Sequence, residues 1–585
     1  MTATVEQYLA IVAKAYAGSI KLPAFQRKWR WKPNQVTLLF DSLRQGFPIG
    51  SFLFIKNTTG IDLGPREFQG ASDFSEAAKS EYLVLDGQQR ITAGLELFHR
   101  SSSVQYFIDL ERVHRLTVEQ QVDFNDTSKI REFLASLEAE DRYCIARKAV
   151  PDPEVLLTKR HLLWTQTLVD EIELERALKK YVRQYPDRDD FISYVIGKNF
   201  RPRSSSNIPI TVIDDDVSVE AISRIFSTLN STGKMLTPFE LVVSILYPHQ
   251  VSLAEDVEAA REKFPYYRRI DATGDILLQT IALFDGLETR KAALPKTITP
   301  DRYRFHFDDT VLYLNEAGKI LTEKIGLGLD QSSELLVYPV IFSPMAYVLR
   351  MLNGKGLSAA ERAAAEHKLA QWFIGAVLAR RYQQSTHDKQ ARDKVDILSW
   401  INAGDEAKPL WLREVQIPNL KTSDPDGAIG KLLRALLNSR GLHDPLTNKA
   451  VGIGSGKRTS AKHHIFPSRF VGNLTGWRSE DNANRALNIM YCEETTNSSW
   501  LNMDPALQIK SAINSNHSEL RVREVYLAHG IDNVAFDMIQ KTVKSRDDYY
   551  QFLAEREKYF VGILEKWGFS QQMGMPEEAQ DLLEE

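Results

Sequence analysis

A chain of 585 residues is longer than one hydrophobic core can organise, so length predicts about three or four domains. With 43% hydrophobic and 26% charged residues the composition is that of an ordinary globular protein, and a net charge of −4 excludes a whole-molecule field that would draw the chain to nucleic acid or membrane. The two cysteines, Cys144 and Cys492, are far apart, which excludes a zinc cluster built on Cys-x-x-Cys pairs and fits a reducing, cytoplasmic setting.

In chain order, "MTATVEQYLA" has no basic segment leading into an apolar one, so a signal peptide is not expected. "VEQYLAIVAKAY" has the period of an amphipathic helix. "IKLPAFQRKWRWKPNQVTLLFDSLRQGFPIGSFLFI" predicts an extended segment, a helix opened by Pro33-Asn34 and closed by Gly46, and an apolar strand. After a loop over 57–80, "EYLVLDGQQRITAGLELFHR" switches from strand to helix period at Asp86-Gly87. Residues 111–205 read as a charged, helical insertion, and "IPITVID" at 208–214 as a β-branched strand. "SVEAISRIFSTLNSTGKMLTPFELVVSILY" predicts two helices around a polar turn, the second announced by Thr237, Pro238 and Glu240. Residues 250–400 read as mostly helical; within and after them, prolines break "LLVYPVIFSPMAYVL" into buried helix, not a membrane span, and "NLKTSDPDGAIG" at 419–430 reads as a linker. The end of the chain is helical with an acidic tail, "PEEAQDLLEE". The fold class expected is α+β and multidomain, divided at 1–245, 246–418, 419–510 and 511–585.

The clearest chemistry is "KRTSAKHHIFPSRF" at 457–470 followed by "NANRALNIMYCEETTNSSWLN" at 482–502. A bare pair of histidines is more often structural than functional. Here Ile465-Phe466-Pro467 and the asparagines Asn488 and Asn497 follow the pair, a spacing that fits a β-hairpin plus helix holding a metal. Neighbouring strand residues point to opposite faces, so the two histidines can do different work. Hydrolysis of a phosphodiester needs a hard cation and a base for the attacking water. His464 is expected to be the general base, His463 and Asn497 the metal ligands, and Asn488 the residue that orients the imidazole, with Asn484 the alternative middle asparagine. So small a protein shell suits Mg2+ or Mn2+, which keep waters, better than zinc. From Lys431 to Arg478 there are nine Lys or Arg and one acid, Asp444. A charge run is usually a solvated face; around phosphate chemistry it predicts a DNA-backbone groove that includes Lys457, Arg458, Lys462 and Arg469. The pattern "HHIFP…N…LN…TTN" resembles the HNH nuclease domain, a ββα-metal fold, in its His-Asn-Asn form over roughly 430–510. That family often carries aspartate where His463 stands.

At the other end, a helix N-terminus after Asp86-Gly87 offers free N–H groups to a phosphate. Arg90 can fork a phosphate, Asp86 can hold a ribose hydroxyl or magnesium, and Gln88 or Gln89 can read a base or phosphate. An Asp-Gly step is equally an ordinary capped turn. "KLPAFQRKWRW" interleaves Arg27, Lys28 and Arg30 with Trp29 and Trp31, which suits stacking on bases, or packing of the aromatics inward. "LPAFQRKWRW", "DSLRQGFPIGSFLF", "YLVLDGQQRITAGL" and "IFSTLNSTGKMLTPFEL", in that order, resemble the ParB-like, sulfiredoxin-related N-terminal domain of the GmrSD class, which has SspE- and BrxU-like relatives. The resemblance covers about residues 5–245. It implies a modification-dependent, antiviral restriction endonuclease acting on double-stranded DNA, here modified phage DNA. It also implies a site that binds and hydrolyses a nucleoside triphosphate, GTP or ATP, at Asp86, Gly87, Gln88, Gln89 and Arg90, helped by Arg27. No membrane partner is expected, and a homodimer is one open form of assembly. "NSTGK" at 230–234 lacks the earlier glycine of a P-loop, so any NTPase here is of another type.

Overall fold

The computed structural model describes residues 2–24, 26, 29, 31–57, 63–72, 79–99, 104–148, 153–202, 207–213, 237–454, 460–475, 483–541 and 545–571. Its contacts divide the chain into two compact units, Met1–Ser252 and Leu253–Glu585.

The first unit is built on a six-stranded mixed sheet. Strands β1 (Thr2–Gln7), β2 (Ile20–Pro23), β3 (Phe52–Lys56), β4 (Pro65–Arg66), β5 (Tyr82–Asp86) and β9 (Asn207–Ile213) lie in the order β1-β9-β3-β5-β2-β4. β9 runs parallel to β3 and β2 parallel to β5; the other pairs are antiparallel. β3 and β5 are central and buried on both faces, which is why "FLFI" and "LVL" are continuous apolar runs without alternation. Helices α1 (Tyr8–Tyr16), α2 (Pro33–Gln45) and α3 (Gln88–Phe98) cover them. The helix predicted from Val5 begins only at Tyr8. Val5 and its neighbours form β1, an exposed edge strand held by its backbone ladder to β9. The insertion at 111–205 is helical over most of its length but also contributes to a second sheet, in which β6 (Val104–Asp109) is flanked by β7 (Cys144–Lys148) and β8 (Leu162–Trp164). The first of the two helices predicted after β9 lies outside the described residues. The second runs Pro238–Leu246, and Thr237 and Glu240 close the reciprocal cap the sequence predicts.

Long helices make up most of the second unit, among them Pro300–Ile325, Phe342–Asn353, Ala359–Leu378, Thr386–Ala403 and Arg546–Lys566. Among the described residues no helix is long and apolar enough to cross a membrane. The expected linker at 419–430 is packed instead. Leu420 is buried and its N–H donates to the Glu557 carboxylate at 2.7 Å, and a helix starts at Ala428. Arg546–Lys566 lies against the predicted nuclease segment, with Phe466 meeting the rings of Tyr549 and Phe552 at 5.4 and 4.8 Å.

Candidate active site

Two short strands, Ala461–His464 and Ile489–Cys492, pair antiparallel, with His463 opposite Met490 and His464 opposite Ile489. The helix Glu494–Trp500 follows at once and carries Asn497. Strand geometry separates the two histidines. His463 is only 2% exposed, while His464 is half-buried on the face it shares with Lys462. His463 Nδ1 lies 3.0 Å from Asn497 Oδ1, its Nε2 lies 3.2 Å from Gln508 Oε1, and Trp500 packs edge-on against the ring at 5.6 Å. Burial holds the His463 pKa below its ordinary 6.5, against the raising effect of the two amides, so the ring is neutral near neutral pH. Two cis ligands of an octahedral ion at about 2.1 Å stand about 3.0 Å apart, the separation of these two donor atoms. Among the described residues no three His, Cys, Asp or Glu side chains gather as a metal cluster, so an all-protein cage is absent there.

The surroundings fix this geometry. Asn488 is fully buried: Oδ1 accepts from the Phe466 N–H, and Nδ2 donates to the carbonyls of Phe466 and Ala483, each at 2.9 Å. It therefore clasps the loop that leaves His464, in place of the direct hydrogen bond to the imidazole that the sequence predicts. Asn484, the alternative, is exposed. Asp444, also fully buried, accepts from the N–H groups of Leu446, Thr447 and Glu493 and from the Thr496 hydroxyl, all at 2.7–3.0 Å. Those bonds secure the start of the helix that presents Asn497. Arg556 is buried as well and donates to the carbonyls of Leu487 and His529 at 2.7 Å; burial lowers its pKa to about 10. None of Gln508, Asp444 and Arg556 stands out in the sequence as a site residue. The lone acid inside a basic run was the available signal for Asp444.

Among the described residues of the basic run, Arg434, Arg440 and Lys462 are committed to protein partners. Arg434 is buried, pairs with Glu334 and lies over the Tyr491 ring at 4.4 Å. Lys462 pairs with Asp426, and Arg440 donates to the Tyr559 hydroxyl at 2.5 Å. Arg469 is exposed on the helix Ser468–Thr475 just after the His464 loop. Lys457 and Arg458 lie outside the described residues.

In the first unit, Gly87 sits at φ 107°, and a Cβ there would fall 2.4 Å from the Phe52 ring, so the turn from β5 into α3 requires glycine. Asp86 is exposed at its tip. Arg90 is turned back. Its guanidinium donates to the Ile49 carbonyl (2.6 Å), the Ser51 carbonyl (3.0 Å) and the Asp86 carboxylate (3.0 Å), and lies over Phe52 at 4.8 Å. Gln88 and Gln89 are buried. Gln26, from the segment before α2, donates to the Leu85 carbonyl at 2.7 Å, so "LPAFQ" and "LDGQQR" meet in space. Trp29 and Trp31 face each other at 6.0 Å and pack, partly buried, on the core of this unit. Arg27, Lys28 and Arg30 lie outside the described residues.

Residues 9–247 match a family model described as the N-terminal domain of GmrSD restriction endonuclease. The chain is also 24% identical to the uncharacterized protein MJ0686 of Methanocaldococcus jannaschii, over 95% of this chain and 97% of that one.

Proposed function

We propose that the protein is a modification-dependent DNA endonuclease whose cutting centre is an HNH-like ββα finger and whose first unit carries a nucleoside triphosphate site. The observation that carries this reading is the finger: His463 Nδ1 and Asn497 Oδ1 stand at the spacing of adjacent ligands, with His464 on the opposite face of the same strand. The match of residues 9–247 to the GmrSD N-terminal domain supports a restriction role.

His463 and Asn497 would hold Mg2+ or Mn2+, with water and substrate oxygens completing the shell. When bound, the ion would neutralise charge on the scissile phosphate and on the leaving oxygen. His464 takes the proton of the attacking water at its imidazole. Asn488 keeps the loop after His464 in place, and Arg469 meets the DNA backbone with Lys457, Arg458 and Lys462. Double-stranded, modified phage DNA is the substrate class. At the other site, Asp86 and the N–H groups opening α3 receive the nucleotide, GTP or ATP, while Arg90 supports the turn beneath them.

The test is cleavage by the purified protein of a panel of plain and modified phage DNAs with Mg2+ and nucleotide. Wild type is expected to cut modified DNA, and His464→Ala to lower the rate at least about 100-fold. Undiminished Mg2+-dependent cutting by His464→Ala would overturn the assignment. DNA binding without any cutting by wild type would leave the second reading, a nucleotide-regulated DNA-binding adaptor with a silent finger. The sparse ligand set of the finger is what favours that alternative.

A further inference from the structure

Gln508 belongs to the helix Pro505–Asn516, beyond the two strands and short helix of the finger, and is 1% exposed. Its Nε2 donates to the Met503 carbonyl at 3.0 Å, a partner that can only accept. The amide is thereby oriented, and Oε1 is the atom that faces His463 Nε2 at 3.2 Å. An amide oxygen also only accepts, so the proton of the ring sits on Nε2. Nδ1 is then left with a bare lone pair directed at Asn497 Oδ1, 3.0 Å away. Two lone pairs this close repel, and a cation bound by both, off the line that joins them, turns the repulsion into ligation.

We propose that Gln508 is a positioning residue that locks His463 in the Nε2–H tautomer, so that Nδ1 and Asn497 Oδ1 present their lone pairs to one divalent cation. This inference rests on the reading of the finger as a cation site. A ligating imidazole whose second nitrogen is held by an oxygen acceptor is fixed in rotation and strengthened as a ligand. A neutral amide does this inside a buried pocket without placing a second charge there.

Protein labelled with 15N-histidine reports the tautomer directly in the metal-free wild type near neutral pH. The His463 resonances, identified by their loss in His463→Ala, are expected to show a protonated Nε2 and a bare Nδ1. A proton on Nδ1, alone or on both nitrogens, would overturn the proposal without reference to any Gln508 variant. Mn2+ binding, followed by the electron paramagnetic signal of the free ion, gives a second readout. Gln508→Met keeps the length but removes the acceptor and is expected to weaken binding about 10- to 100-fold. Equal binding by wild type and Gln508→Met would overturn the positioning role while leaving the cation site standing. Equal binding by wild type and His463→Ala, or none by either, would overturn the cation site itself.

Discussion

His463 and His464 are chemically identical neighbours that the strand separates. The first is sealed among Asn497, Gln508 and Trp500, the second stands half-buried on the other face. Periodicity alone predicts that separation; the identity of what covers each ring does not follow from it, because Gln508 comes 45 residues later in the chain. A third histidine, His529, has no part in the proposed chemistry but contributes to how the second unit responds to acid. It is fully buried, its Nε2 donates to the His443 carbonyl at 2.8 Å, and burial pushes its pKa from 6.5 down to about 4, with the Arg556 charge acting in the same direction. The folded pKa is below the unfolded one, so the unfolded chain binds more protons between the two values. The contribution of His529 to stability is then complete above about 6.5, falls as pH drops toward about 4, and levels off below that. The loss is on the order of 3 kcal/mol. Denaturant unfolding of the full chain at a series of pH values should show this fall, and His529→Gln should flatten it by about one proton's worth of slope. An unchanged slope in His529→Gln would remove His529 from the acid response.

At the scale of elements, the finger is too small to stand alone, and its bracing comes from distant segments. The helix Glu494–Trp500 has seven residues, below the length at which an isolated helix persists in water. Asp444 supplies what the helix lacks, since its carboxylate receives the Glu493 N–H and the Thr496 hydroxyl at one time. Asp444→Ala leaves two buried donors, the Glu493 N–H and the Thr496 hydroxyl, and two part-buried ones without this partner and is expected to destabilise the second unit by on the order of 3 kcal/mol, with cleavage lost beyond what the fall in folded fraction explains. Asp444→Asn, which keeps one acceptor oxygen, should fall between Ala and wild type. Equal stability of all three in denaturant unfolding would show that the carboxylate does not brace the helix. The same local-versus-distant division explains what was readable beforehand. The strand-turn-helix at Asp86–Gly87, the cap at Thr237 and the hairpin-plus-helix order of the finger are local patterns, and all three stand in the structure. The sheet formed by β6, β7 and β8 was not readable. β7 is the short, half-exposed "CIARK", β8 has three residues, and each acquires its strand geometry only by pairing with β6. The misread helix start at Val5 has the same origin, because "VEQ" fits a helical period and becomes a strand only through its ladder to β9.

Over the whole molecule, the two proposed sites fall in separate compact units, so each can be altered while the other is read. Asp86 and Arg90 make the sharpest contrast within the first unit. The Asp86 side chain is 57% exposed, with one carboxylate oxygen paired to Arg90, whereas Arg90 also binds the carbonyls of Ile49 and Ser51 beneath the turn. Asp86→Asn preserves an oxygen for Arg90 and removes the charge that magnesium or a ribose hydroxyl would use. It should leave the thermal midpoint within about 2 °C of wild type, since a surface ion pair contributes about 1 kcal/mol or less. Nucleotide turnover should fall at least about 10-fold, and Mn2+ binding by the second unit should be unchanged. Arg90→Ala removes three hydrogen bonds to the turn and its packing on Phe52, so it should lower the thermal midpoint of the first unit and, through the loosened turn, turnover as well. Scanning calorimetry and a phosphate-release assay with GTP and with ATP, run on both variants of the full chain, separate the two roles. If Asp86→Asn turns over nucleotide at the wild-type rate, the phosphate site is not at this turn, and Gly87 serves only the close packing of β5, Phe52 and α3.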